Sequence, residues 1–273
     1  MLPPDVRSTD RPVPFRALVV SAHPDDLEFG AAGTVAKWAD AGADVTLCIV
    51  TDGSTGTQDR SLMGAPLSEI RKAESEAAAR ILGINELVWL GYPDGYVEYT
   101  LDLRRELARV FRKYRPHRYM VMDVAATVED RFINHPDHRA VGHASLDVTL
   151  TAGTTPGHFP ELLDEGLEPW RDLREVWIMG PAGGPRLVDI TETFDRKMDA
   201  LMCHESQVGE NRADIERWMR ERFAEMGAAA GYGYAESFRV ISQGPGFHAD
   251  EQLDEVAMDH APPDPDPRAA PPR

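Results

Sequence analysis

Short β-branched apolar runs alternate with helix-length amphipathic segments along most of this chain, and that alternation leaves few folds open. FRALVVSA, in the 16–23 region, has the continuous apolar character of a strand buried on both faces. Residues 28–41, EFGAAGTVAKWADA, then carry an apolar stripe at helical spacing and end at Gly42. VTLCIVT (45–51) predicts a second strand, and SEIRKAESEAAARILGI (68–84) a helix with Ser68 as N-cap and Gly83 as its stop. ELVWLGY (86–92) is a third strand, followed by a helix over 100–116 closed by Pro116. RYMVMDV (118–124) is a fourth strand, with a helix from about 136 to 150 after it. REVWIMG (174–180) makes the fifth, and helices near 191–204 and 211–227 follow. Strands and helices in this order call for an α/β fold. The expected architecture is a Rossmann-like three-layer sandwich, with a mainly parallel sheet and helices on both faces. Ligands in such folds sit beyond the carboxyl ends of the strands.

The ends of the chain have a different composition. The first fourteen residues hold four prolines and the last thirteen hold six, which sustains neither helix nor central strand. The expected organisation is a flexible tail over 1–14, one domain over 15–248, and an acidic, proline-rich tail over 249–273. A net charge of −17 argues against a nucleic-acid partner, which needs clustered Lys and Arg, and against an anionic membrane surface. No apolar run reaches the roughly 18–20 residues of a membrane span. The N-terminus lacks the apolar segment of a secretory signal. With only Cys48 and Cys203 present, the chemistry suits a reducing, cytoplasmic compartment.

The chemistry-bearing residues fall on two strand-to-helix turns. Ala22-His23-Pro24-Asp25-Asp26-Leu27-Glu28 follows the first strand, and Asn134-His135-Pro136-Asp137-His138 follows the fourth. Asp and Pro at a helix start are ordinary caps when met singly. Capping does not require histidine, however, and zinc is commonly bound by His nitrogen and Asp oxygen. Three protein ligands with one open position make a catalytic rather than a structural zinc site. His23 and Asp26, three apart across a turn entering a helix, can face one point, and the distant motif can supply a further ligand. Asp25 aims differently, which suits a base beside the metal. A dinucleotide site would need a glycine-rich turn where HPDD stands, yet Gly30 and Gly33 come only within the helix. A non-catalytic metal- or sugar-binding module would lack a base, and Asp25 supplies one.

The pair AHPDDLE and HPDH resembles the LmbE-like, or PIG-L, family of zinc-dependent N-acetylglucosamine deacetylases. Weaker matches are Thr51–Gly53, Arg71-Lys72-Ala73-Glu74, Pro93-Asp94-Gly95, His204-Glu205-Ser206-Gln207 and Glu236-Ser237-Phe238, so that the likeness runs over residues 16–242. The resemblance implies a Zn2+ ion on His23, Asp26 and His138, with Asp25 as general base. It implies that His135, as a cation, assists the transition state or leaving group and is oriented by Asp137. It further implies that Arg71 and Asp94 contact sugar hydroxyls. The alternatives are a helix-surface ion pair of Arg71 with Glu74 or Glu76, and a plain turn at Asp94. Where some relatives carry a tyrosine two residues before HPDH, this chain has Ile133. The implied substrate is a small-molecule glycoside or glycoconjugate carrying an N-acyl amino sugar; an amidase acting on a thiol-cofactor conjugate is the alternative. Around this set, Asp52 is expected to orient His23 and the segments 53–66 and 151–173 to border the substrate mouth, with His158 either bordering the pocket or lying in a solvated loop. His143 is expected to be structural, His117 and His248 to lie at the surface, and His260 in the tail.

Overall fold

The computed structural model describes residues 15–125, 128–129, 132–180, 184–228 and 230–243. The tails expected over 1–14 and 249–273, with His248 and His260, lie outside the described residues. Five strands run parallel: β1 (Arg16–Ser21), β2 (Asp44–Thr51), β3 (Glu86–Tyr92), β4 (Arg118–Met122) and β7 (Glu175–Met179). They follow the apolar runs of the sequence to within two residues. A short antiparallel ladder, β5 (Val128–Glu129) with β6 (Phe132–Ile133), stands apart from this sheet.

The order across the sheet is β3-β2-β1-β4-β7-β9-β8. Strand β9 (Ala235–Ser242) pairs antiparallel with β7 and with β8 (Arg186–Asp189). The sequence pattern does not predict β8 and β9: β8 is four residues long, and β9 is exposed over its last residues, so neither has the apolar run of a central strand. Helices α2 (Ala32–Asp40), α3 (Ala65–Leu82) and α7 (Phe194–Leu201) pack together, while α4 (Leu101–Tyr114) pairs with α5 (Pro136–Leu150) against β1 and β4. The result is the expected three-layer α/β sandwich. Among the described residues the remaining α-helices are α1 (Asp26–Gly30), α6 (Glu161–Asp164), α8 (Glu205–Val208) and α9 (Arg212–Ala228).

Three details differ from expectation. The helix predicted over 28–41 is two, because the chain breaks at Ala31 (φ −144°, ψ 9°) between α1 and α2. Helix α3 starts at Ala65, not Ser68: Gly64 caps it at φ 82° and Pro66 lies in its first turn. Gly83 does stop it, in the left-handed conformation at φ 78°. Segment 151–173 lies away from the mouth. It follows the carboxyl end of α5, whose 15 residues carry the chain about 22 Å back to the amino ends of the strands. There Arg112, fully buried on α4, donates to the carbonyls of Ala152, Thr155, His158 and Leu167. His158 is thus exposed at the far edge instead of beside the pocket.

The antiparallel addition is tied to the parallel sheet through a buried charge. Glu236 of β9 accepts from the N–H groups of Gly33 (3.0 Å) and Thr34 (2.7 Å) at the start of α2, and from Lys197 Nζ (2.7 Å) of α7. The carboxylate therefore complements a helix N-terminus and one buried cation together. Replacing Glu236 with Ala strands Lys197 in the core, so Glu236→Ala is expected to lower stability by about 3–5 kcal/mol in urea unfolding.

His117 is half-buried rather than at the surface, and its Nδ1 accepts the Arg16 N–H at 3.0 Å. Burial, reinforced by the charges of Arg16 and Arg174, pushes its pKa from 6.5 down to about 4. Between those values the unfolded chain binds the extra proton, so this contribution is present above pH 6.5 and lost as pH falls toward 4. His117→Gln is expected to reduce the loss of Tm between pH 7 and pH 4.5.

Candidate metal centre

Strand β1 delivers Ala22 and His23 to the sheet edge, where Ala22 O accepts the Thr51 N–H. The chain then turns sharply: Asp25 sits at φ 149°, a region that side chains other than glycine seldom occupy. Asp26 opens α1, and its Oδ2 accepts the His23 N–H at 2.7 Å. Strand β4 lies beside β1, and the loop after it brings His138 in from the first turn of α5. His138 Nε2 comes 3.0 Å from Asp26 Oδ1 and 3.1 Å from His23 Nδ1, and His23 Nδ1 lies 3.6 Å from Asp26 Oδ2. A tetrahedral ion with bonds of about 2.0–2.1 Å spaces its ligand atoms roughly 3.3–3.4 Å apart. With one or other Asp26 oxygen as the third donor, these residues place their ligand atoms at about the spacing a divalent cation requires.

Two other groupings share His23, one with His135 and His138 and one with Asp94 and Asp137. His135 is a weaker donor, because its Nδ1 already accepts the Asp137 N–H at 3.2 Å. The second grouping faces the opposite ring nitrogen. His23 Nε2 lies 3.1 Å from Asp94 Oδ1 and 3.3 Å from Asp137 Oδ2. A ligating histidine held through its other N–H by a carboxylate is the usual support of a metal site, and here two carboxylates supply it. Both are rigid. Asp137, fully buried, accepts from Gly95 N (2.7 Å) and Val97 N (3.2 Å), while Asp94 accepts from Thr55 N at 3.0 Å.

Charge balance points the same way. Burial alone would lower the His23 pKa, but the charge of Asp26 and hydrogen bonds to Asp137, Asp26 and Asp94 outweigh it and push it up to about 12. Burial would raise Asp26, yet the charges of His138 and His23 hold it well below the usual carboxylate range. Asp94 and Asp137 are lowered in the same way, against burial, chiefly through His23. This donor set demands positive charge, which a proton or a divalent cation supplies in competition.

Asp25 stands beside the triangle with a different environment. Burial pushes its carboxyl up to about 6, although the Arg71 charge opposes the shift. Arg71 is buried, not on the surface of α3. Its Nη2 donates to Asp25 Oδ1 at 3.1 Å, and its Nη1 donates to Gly53 O at 3.3 Å and lies 3.8 Å from Asp94 Oδ2. The expected partner Glu74 instead accepts from Ser206 N and Oγ, each at 2.7 Å. Asp52 does not reach His23 but accepts the N–H groups of Ser54 and Asp94, fixing the turn that aims Asp94. The Asp137 carboxylate is committed to the 95–97 turn and to His23, so it touches His135 only through its main-chain N–H. Partial burial and the His23 charge lower the His135 pKa, which opposes the cationic form that the resemblance implies. With Nδ1 accepting, its proton sits on Nε2.

The buried pair behind Asp25 falls within two of the motifs quoted above, AHPDDLE and His204-Glu205-Ser206-Gln207, which by themselves assign it no role. His204 is fully buried, with Nε2 3.4 Å from Glu28 Oε2. Burial opposes its protonation, but Glu28 and Asp25 raise its pKa overall. His143 is exposed, edge-on to Tyr99, and takes no part in the triangle. Replacing Asp94 or Asp137 with Asn removes the negative charge beside His23 Nε2–H and leaves one acceptor oxygen where the carboxylate uses two. Each variant is expected to bind zinc about 10–100-fold more weakly in a competition titration with a chromophoric chelator.

Residues 18–149 match the family model described as PIG-L, GlcNAc-PI de-N-acetylase. The chain is 32% identical to the diacetylchitobiose deacetylase of Thermococcus kodakarensis over 227 residues, 83% of each chain. It is 30% identical to 1D-myo-inositol 2-acetamido-2-deoxy-alpha-D-glucopyranoside deacetylase 2 of Saccharopolyspora erythraea, over 72% of this chain and 85% of that one. Among solved structures it resembles the N,N'-diacetylchitobiose deacetylase of Pyrococcus horikoshii, with a TM-score of 0.78 and 30% identity over 86% of this chain and 87% of that chain. A paired HPDD and HPDH edge on this sheet, with relatives aligned along most of the chain, places the protein by descent as well as by geometry: it belongs to the PIG-L, or LmbE-like, family.

Proposed function

We propose that this protein is an N-deacetylase that removes the N-acyl group, acetate in the simplest case, from an amino-sugar glycoside or glycoconjugate. The observation that carries the proposal is the 3.0–3.6 Å donor triangle of His23, Asp26 and His138, with the Asp25 carboxylate beside it. Zinc is the cation that suits two imidazoles and a carboxylate, and when bound it polarises an acyl carbonyl and acidifies a water molecule. The chain's own groups do the rest. Arg71 holds Asp25 Oδ1, leaving Oδ2 to accept the proton of the attacking water. The raised pKa of Asp25 lets the same carboxyl carry that proton to the departing amine. Neutral His135 presents its Nε2–H to the developing oxyanion, a role in which Ile133 offers no hydroxyl.

Arg71 and Asp94 act mainly inward, on Asp25 and His23, which leaves the sugar to groups nearer the mouth. The 53–64 loop is one border, through Gly53 and Thr55 against Arg71 and Asp94. The product is a free amine with a carboxylate. No helix of the described residues is long and apolar enough to cross a membrane. The unpaired Cys48 and Cys203 suit a reducing cytoplasm.

Asp25→Asn is expected to retain zinc and lose about 10²–10⁴-fold in the rate of amine release from an N-acetylglucosaminide. Turnover at the wild-type rate would remove Asp25 from the mechanism. The base must be ionised, so kcat/KM is expected to rise with pH through about 6 and level above it, and the pH profile checks this.

A further inference from the structure

Next to the candidate site the surface carries apolar side chains that the fold itself does not need. Ile133 is 73% exposed and Val128 is 69% exposed. They face each other as Cα partners across the β5–β6 ladder, so both side chains project from the same face. Asn134, between Ile133 and His135, is buried and donates from Nδ2 to Asp123 O at 3.1 Å. Alternation along this extended segment puts Ile133 on the side of His135, two residues or about 6.6 Å away. The His135 ring in turn lies 4.6 Å from that of His23. On the adjoining turn, Gly95 and Val97 are pinned by their N–H groups to Asp137, while Tyr96 between them is 76% exposed. Both apolar elements thus flank the start of α5, where the chemistry is set.

We propose that Val128, Ile133 and Tyr96 form a subsite for an apolar aglycone, an aryl or alkyl group on the anomeric oxygen of the amino sugar. The inference rests on the deacetylase reading above and names its substrate class. The occupant follows from position. The anomeric carbon adjoins the carbon that bears the amide, so an aglycone leaves the reacting centre within a few ångströms, and Ile133 stands two residues from His135, whose ring is beside His23. A polyhydroxylated aglycone such as inositol gains nothing from two aliphatic side chains and would leave its hydroxyls poorly paired there. An aryl or alkyl group covers the Val128–Ile133 pair and packs against the Tyr96 ring.

The test compares kcat/KM of the zinc-loaded full chain on methyl, octyl and phenyl N-acetylglucosaminides and on N-acetylglucosaminyl-inositol. The expected result is a preference of about 10-fold or more for octyl and phenyl over methyl and inositol, expressed mainly in KM. In a Val128→Ser/Ile133→Ser double variant the octyl-to-methyl ratio is expected to collapse toward one. Tyr96→Ala is expected to lower the phenyl ratio more than the octyl ratio. Zinc content and Tm, measured alongside, show that the exposed substitutions leave the fold intact. A wild-type ratio near one, or a ratio that the double variant leaves unchanged, overturns the subsite. So does a double variant that changes only the mass by light scattering, since the patch is then covered by a second copy of the chain. Turnover of the methyl glycoside without preference defeats the subsite alone, whereas no amine release from any of the four substrates defeats the deacetylase reading with it.

Discussion

Strands β1 and β4 hydrogen-bond side by side, with Ala17 opposite Arg118 and Val19 opposite Met120, and the geometry of the site descends from that pairing. From β1 the chain leaves toward the helices α1 and α2, and from β4 toward α5 on the other face. The two departures open a crevice at the carboxyl ends of neighbouring strands, the place where sheets of this kind bind ligands. Each departure carries a His-Pro-Asp turn, so two turns 112 residues apart, counting from His23 to His135, meet across one strand spacing. Neither turn alone brings three donor atoms together.

The crevice is held by charge as much as by packing. Three carboxylates, from Asp26, Asp94 and Asp137, converge on His23, and each also accepts a main-chain N–H. Those hydrogen bonds fix the carboxylates before any ligand arrives, which is the preorganisation that a tight metal site needs. Arg71 is the counterweight on the other flank. It joins Asp25, the Gly53 carbonyl and the vicinity of Asp94, so the sharp turn at Asp25 is braced by a buried guanidinium. Backbone strain of this sort persists only where the surroundings enforce it. The same economy recurs at Glu236, where one carboxylate satisfies a helix start and a buried lysine.

The five parallel strands were legible because a strand buried on both faces must be apolar at every position, and such runs stand out from amphipathic helices. Strands β8 and β9 were not, since each has an open or half-covered face and a mixed composition. Helix starts were less certain than stops. Gly83 could be placed because only glycine takes that conformation readily, whereas the start of α3 depended on Gly64 and Pro66 and not on the better-looking cap at Ser68. Segment 151–173 looked like a mouth because it is long and polar, but a helix has a direction, and α5 delivers it to the wrong edge.

The residue types were legible in the sequence: imidazole and carboxylate at two strand-to-helix turns are the groups from which a cation site with a base beside it can be built. What the sequence could not determine was partnership, because side-chain roles depend on which strands are neighbours and which groups share a buried volume. The tertiary structure turned Arg71 and Asp94 inward to Asp25 and His23, and set Asp137 against His23 instead of His135. It also lowered the His135 pKa, through partial burial first and the neighbouring His23 charge second. Those assignments rest on distances of a few ångströms between residues far apart in the chain, and the pairing of β1 with β4 on one side, and with β2 and through it β3 on the other, brings them within reach.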